Sequence, residues 1–237
     1  IPLPTKTETM NDIESRLLAI KEQITSHARQ AGRSPNEIKL LAVSKTKPVE
    51  AIQEAYQAGQ RLFGESYVQE AITKIQQLNN SSDYAGIEWH FIGPLQSNKT
   101  KLVAEHFDWV HSIDREKTAQ RLNEQRPANL PALNVCIQVN ISGERTKSGI
   151  TADEVFGLAG IISQFPRLKL RGLMTIAENT DDMNVVRDNF LHMQQLFNQL
   201  KSQYPSVDTL SMGMTDDMPL AISCGSTMVR IGTAIFG

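Results

Sequence analysis

A chain of 237 residues is long enough for one large core and lies close to the ~250 residues typical of an eight-stranded α/β barrel. Its 24 Lys and Arg against 26 Asp and Glu leave a net charge of −2, so it carries no basic field of the kind that holds nucleic acid or an anionic membrane. The two cysteines, Cys136 inside an apolar run and Cys224 beside Gly225, lack metal-ligand or redox spacing and are expected as reduced thiols in a cytoplasmic protein, with no metal site and no membrane span.

In chain order, residues 1–9 lack the apolar core of a secretory signal, and Met10-Asn11-Asp12 reads as the native start. Residues 1–9 are therefore expected to be a remnant of the expression vector, and 10–237 a single domain. Asn11 followed by Glu14 forms an N-terminal capping pattern, after which Ile13, Leu17, Ile20, Ile24 and Ala28 recur at helical spacing until Gly32. This predicts an extra N-terminal amphipathic helix. Strand patterns follow at 38–45, 61–65, 87–93, 109–113, 133–141, 168–176, 209–212 and 228–232. Helical patterns lie between them, for example at 49–58, 98–106, 115–124, 152–164 and 184–201.

Strands alternating with helices indicate parallel βαβ units. An open doubly wound sheet would be expected to carry a Gly-rich dinucleotide fingerprint after its first strand, and none is present. The expected fold is a single (β/α)8 barrel of the TIM type, with no linker composition to divide it. In the long helical pattern, Val186, Phe190, Met193, Phe197 and Leu200 form a stripe of barely two heptads. That length suits a helix packed on the barrel better than a dimer seam, so a monomer is expected.

Functional groups in such a barrel project from the C-terminal ends of the strands, and phosphate is often held after strands seven and eight. The first strand pattern delivers Lys45 to that end, where an amine can form a Schiff base with an aldehyde and where burial would favour its neutral form. Lys47 shares its face by strand alternation, so spacing does not choose between them. Strand seven leads into Ser211-Met212-Gly213-Met214-Thr215-Asp216-Asp217, whose small and hydroxyl residues expose backbone amides ahead of a short helix. Strand eight ends in Arg230-Ile231-Gly232-Thr233. Val229 and Ile231 should face the helices, which turns Arg230 to the interior or mouth, where it needs an anion. A ligand phosphate, a pyridine nitrogen accepting from the guanidinium, and an ion pair with Glu65 all remain open.

Five segments together resemble the pyridoxal-phosphate homeostasis protein family. They are Leu41-Ala42-Val43-Ser44-Lys45-Thr46-Lys47-Pro48, Phe63-Gly64-Glu65-Ser66-Tyr67-Val68-Gln69-Glu70, Trp89-His90-Phe91-Ile92-Gly93-Pro94-Leu95-Gln96-Ser97-Asn98-Lys99, Leu210-Ser211-Met212-Gly213-Met214-Thr215-Asp216-Asp217 and Val229-Arg230-Ile231-Gly232-Thr233-Ala234-Ile235-Phe236-Gly237. The resemblance runs colinearly over residues 10–237. It implies a barrel like the N-terminal domain of alanine racemase, with pyridoxal 5′-phosphate on Lys45 as a Schiff base. It also implies a cofactor cradle of Ser211, Met212, Gly213, Arg230, Gly232 and Thr233. The chain departs from the family at Gly64-Glu65-Ser66, where Gly-Glu-Asn is usual.

The same resemblance implies a cytoplasmic carrier in vitamin B6 homeostasis, with possible transfer of pyridoxal 5′-phosphate to apoenzymes and no established turnover. Racemase chemistry in alanine racemase takes a second base from another domain, for which this chain has no residues left. Candidate acid–base groups here are Lys45 after release, Lys47, His90, His111 and Tyr67. The histidines are expected to be hydrogen-bonded in or under the mouth. An arginine beside a pyridine nitrogen discourages ring protonation and weakens the ring as an electron sink. The alternatives are a pyridoxal-phosphate racemase and a Schiff-base aldolase-type barrel without the cofactor. The polar loop 142–149, with Arg145 and Lys147, is a further place that could attract phosphate or a partner.

Overall fold

The computed structural model describes residues 12–145 and 148–237. Asn11 and the expected vector remnant lie outside the described residues. The opening helix, α1 (Ile13–Gln30), starts at Asp12, whose Oδ1 accepts from the Ser15 amide at 2.7 Å and so satisfies one of the orphan donors of the first turn. All five residues of the predicted stripe are buried. The helix closes where the Arg33 amide reaches back to the Ala28 carbonyl at 2.8 Å around Gly32.

Eight strands then alternate with helices: β1 (Lys39–Val43), α2 (Val49–Gln57), β2 (Leu62–Glu65), α3 (Val68–Asn79), β3 (Glu88–Phe91), α4 (Thr100–His106), β4 (Trp109–Ile113), α5 (Glu116–Gln125) and β5 (Leu133–Gln138). The second half continues with α6 (Val155–Ile162), β6 (Leu168–Met174), α7 (Met183–Gln203), β7 (Thr209–Ser211), α8 (Met218–Ser223), β8 (Met228–Ile231) and a short α9 (Thr233–Phe236). The strands are parallel and close in sequence order, so β1 pairs with β8 in the register Leu41 to Arg230 and Ala42 to Ile231. That closure is what brings the first functional strand beside the last.

Strand alternation separates two cores. Leu40, Ala42, Val229 and Ile231 point outward into the layer shared with the helices, while Trp109, Cys136 and Met174 form a separate cluster. The α7 stripe (Val186, Phe190, Met193, Phe197, Leu200) is buried in the outer layer of its own chain. Each such side chain contributes roughly 1.5–3 kcal/mol of burial, which explains the stripe without a dimer seam. Several strands are shorter than their apolar patterns. The 133–141 pattern, for example, ends as a strand at Gln138, and Val139 then makes an isolated bridge to Ile150 where the mouth loops begin. Among the described residues no helix is long and apolar enough to cross a membrane.

Candidate functional site

Lys45 leaves β1 two residues after Val43 and stands exposed at the C-terminal mouth, not buried as its strand-end position suggests. It has no hydrogen-bond or ion-pair partner among the described residues. The expected alternation of Lys45 and Lys47 does not hold, because the chain turns at 45–46 and Thr46 takes a left-handed φ of 65°. Lys47 Nζ instead donates to the Gly237 carbonyl at 2.5 Å. A β-branched residue in the left-handed region is strained, and the strain is held by a buried polar cluster beneath the turn.

That cluster centres on Lys74 of α3. Its Nζ donates to the Ser44 carbonyl at 2.9 Å, to both Glu65 carboxylate oxygens at 3.1 Å, and pairs with Glu70 Oε1 at 2.8 Å. Glu70 Oε1 accepts from the Thr46 amide at 2.6 Å, and Ser44 Oγ donates to Glu65. Burial pushes the Glu65 carboxyl up, opposed by the Ser44 hydroxyl and the Lys74 charge. Both residues flanking the Lys45 turn are thus clamped from below. Sequence reasoning missed Lys74, although a lysine among Ala71, Ile75 and Leu78 on the apolar face of a helix was its signal.

Thr46→Gly is expected to stabilise the fold by up to about 1 kcal/mol, since relieving roughly 1–2 kcal/mol of left-handed strain outweighs a glycine entropy cost of roughly 0.5–1 kcal/mol. A shift of the urea midpoint measures this. A lower midpoint would mean that the threonine side chain itself supports the turn.

Arg230 lies inside the barrel, as alternation requires, only 5% exposed. Its Nη1 donates to Ser211 Oγ at 2.7 Å and its Nη2 to the Thr175 carbonyl at 2.9 Å. The Glu65 partner is overturned: Glu65 pairs with Lys74, and among the described residues no carboxylate forms an ion pair with Arg230. Burial lowers the guanidinium to about 10, against the attraction of nearby Asp217. Ser211 ends β7 fully buried, and the Arg230 amide donates to the Gly213 carbonyl at 2.9 Å, tying β8 to the β7 loop. Gly213 has φ 106°, and a Cβ there would lie 2.6 Å from Ala221 Cβ, so only glycine fits between the loop and α8.

Met212 turns its side chain into the outer core, which leaves only its backbone for any ligand. The Met214 amide is already taken by Asp217 Oδ1 at 2.6 Å. At the end of β8, a Cβ placed on Gly232 would lie 3.3 Å from the Val43 carbonyl, showing how closely this loop approaches the Lys45 strand. Thr233 is exposed and opens α9, whose first internal bonds start from the Ile235 and Phe236 amides to Gly232; the Thr233 and Ala234 amides precede them. The mouth therefore gathers Lys45, Ser211, Gly213, Gly232 and Thr233 around the buried Arg230.

The remaining candidates fall elsewhere. His90 and His111 are fully buried inside the barrel and bonded to each other, Nδ1 to Nε2, at 2.8 Å. Tyr67 is 53% exposed at the start of α3, and Ser66 is half-buried. Arg145 is exposed, and Lys147 lies outside the described residues. Cys136 and Cys224 are free and buried, and burial pushes both thiols up. Among the described residues no group of His, Cys, Asp or Glu could hold a metal ion.

With this geometry in view, the profile of the alanine racemase N-terminal domain matches residues 16–237. The pyridoxal phosphate homeostasis protein of Vibrio cholerae is 58% identical over 228 residues, covering 96% of this chain and 97% of the relative. The chain belongs to the pyridoxal phosphate homeostasis protein family. The PipY structure of Synechococcus elongatus with pyridoxal phosphate bound superposes with a TM-score of 0.81 at 35% identity, covering 95% of this chain and all of that one. The alanine racemase of Corynebacterium glutamicum, 18% identical with a TM-score of 0.65, shares the fold; the match covers 93% of this chain and 61% of that one.

Proposed function

We propose that this protein binds pyridoxal 5′-phosphate reversibly through a Schiff base on Lys45 and serves as a monomeric intracellular carrier in vitamin B6 homeostasis. The observation that carries the reading is the convergence at one barrel mouth of two small-residue loops, a lysine with no partner among the described residues and a buried arginine with no ion-paired carboxylate among them. The residues fit the group. Gly213 and Gly232 leave room for close backbone approach, Ser211 and Thr233 add hydroxyls, and Arg230 is a cation in need of an anion or an acceptor. The Vibrio cholerae relative, a pyridoxal phosphate homeostasis protein, and the pyridoxal phosphate bound to PipY support the same assignment.

When bound, pyridoxal 5′-phosphate supplies a reactive aldehyde and an electron-accepting ring. Lys45, exposed at the mouth and without a hydrogen-bond partner among the described residues, would hold the aldehyde carbon as a Schiff base with loss of one water. The Thr233 and Ala234 amides and the Thr233 hydroxyl would hold the phosphate, and Arg230 would meet the ring nitrogen. A guanidinium there opposes protonation of the ring nitrogen, which favours holding over carbanion chemistry. His90 and His111 are enclosed and committed to each other, so neither is poised as a base at the mouth. Recipients are apoenzymes that need the cofactor.

Borohydride reduction of the loaded protein followed by peptide mapping is expected to place the pyridoxyl group on Lys45; a label on Lys47 alone overturns the attachment site. Incubation with single amino-acid enantiomers in deuterated buffer, and separately with a cofactor-requiring apoenzyme, tests the carrier. Activation of the apoenzyme with negligible turnover is expected. Sustained stereochemical inversion at roughly 1–10³ per second would establish a racemase instead.

A further inference from the structure

A continuous line of polar contacts runs through the barrel interior from its N-terminal end to the mouth. Glu88, the first residue of β3, borders a cleft of about 340 Å³ lined also by Lys39, Asp108, Arg126, Asn134 and Arg171. Glu88 Oε1 meets His90 Nε2 at 2.8 Å, and His90 Nδ1 meets His111 Nε2 at 2.8 Å. His111 Nδ1 meets Ser211 Oγ at 3.0 Å, and Arg230 Nη1 donates to the same oxygen at 2.7 Å. His90 is held flat against Trp109, with ring centroids 5.0 Å apart and planes 15° from parallel.

The carboxylate end sets the proton positions. An ionised Glu88 only accepts, so a neutral His90 carries its proton on Nε2, donates to Glu88 and accepts at Nδ1. His111 therefore carries its proton on Nε2 and donates to His90 Nδ1. Its Nδ1 is left to accept from the Ser211 hydroxyl, whose oxygen also accepts from Arg230. The opposite polarity needs a protonated Glu88, and the hydrogen bond from His90 holds that carboxyl below its ordinary range. Burial holds both imidazoles below their ordinary values and so neutral, with His90 and the Arg230 charge adding to the effect at His111. Each ring that donates to an anion becomes a better acceptor at its other nitrogen, so the polarisation accumulates toward Ser211.

We propose that Glu88, His90 and His111 act through Ser211 as a hydrogen-bonded rod that carries the influence of the Glu88 charge to Arg230 and sets the orientation of its guanidinium against the cofactor. This rests on the reading of Arg230 and Ser211 as cofactor contacts. Glu88, His90 and His111 are positioning residues that never touch the ligand. An apolar barrel centre would pack as well, and the polar line is then explained by what it joins.

The first test uses the cofactor-free protein. Nitrogen–proton correlation spectra at neutral pH are expected to show both imidazoles neutral with the proton on Nε2. A proton on Nδ1 of either ring, or a charged ring, overturns the rod.

The second test uses Glu88→Gln, which keeps an acceptor oxygen and removes the charge at a half-exposed position. The dissociation constant for pyridoxal phosphate is expected to rise roughly threefold to tenfold, with a displaced visible absorption maximum. Ser211→Ala interrupts the rod, so adding Glu88→Gln to it should change neither quantity further. Wild-type affinity and absorption in Glu88→Gln, or an equal Glu88→Gln effect with and without Ser211, overturn the proposal. A wild-type protein that retains no cofactor is a failure of the functional reading, and the cofactor-free spectra then decide the rod by themselves.

Discussion

Lys74→Met is expected to lower the unfolding free energy by about 3–5 kcal/mol at neutral pH, because it leaves the Glu65 carboxylate buried and unpaired beside Glu70. Methionine matches the length of the lysine stem, so packing changes little and the loss is electrostatic. The pH dependence carries the sign of that mechanism. Burial already raises the folded-state pKa of Glu65 above its ordinary value of 4.5, and removing Lys74 removes two of the influences that lower it. A carboxyl with a raised folded-state pKa contributes stability that is present below the unfolded value and is lost as pH rises through the folded one. The deficit of Lys74→Met against the wild type should therefore be larger at pH ~8 than at pH ~5. Urea unfolding at both values measures it. An equal deficit at both would assign the loss to packing and remove the electrostatic clamp from beneath the Lys45 turn.

Arg230→Gln is expected to weaken pyridoxal phosphate retention by roughly 1.5–3 kcal/mol, about tenfold to 150-fold in dissociation constant. Glutamine keeps hydrogen-bonding capacity but loses the charge and one of the two anchors to Ser211 Oγ and the Thr175 carbonyl. Equilibrium dialysis on a variant with a wild-type unfolding midpoint reads the effect on the ligand alone. Unchanged affinity would leave Arg230 a structural strut between β6, β7 and β8 and would move the cofactor contacts to the loop amides.

The eight strands were legible because alternation and apolar runs are local properties, and the same holds for the face of Arg230. Val229 and Ile231 pack outward and Arg230 points inward because a parallel strand in a barrel has only two sides. The helix stripes of α1 and α7 were readable for the equivalent reason at the helical period. Capping was read one residue early, at Asn11, because Asp12 and Asn11 are both good caps and only the geometry of the first turn chooses.

Partner choice was not legible. Glu65 could satisfy Arg230 or a lysine on spacing alone, and the decision came from α3 laying Lys74 under β2, nine residues away in sequence and 3.1 Å away in space. The rod from Glu88 to Arg230 joins β3, β4, β7 and β8, with one bond spanning residues 100 positions apart, and no periodicity within a strand announces it. Lys45 and Lys47 were equivalent in the alternating pattern, but β1 ends at Val43 and the turn through the left-handed Thr46 sends the two side chains to different places. By itself the sequence determined the barrel, the strand faces and the residues able to do Schiff-base chemistry, since these follow from hydrophobic period and side-chain type. Tertiary structure alone decided which buried charges meet and which lysine stands free, because ion pairs and hydrogen bonds depend on distances that exist only once the barrel has closed.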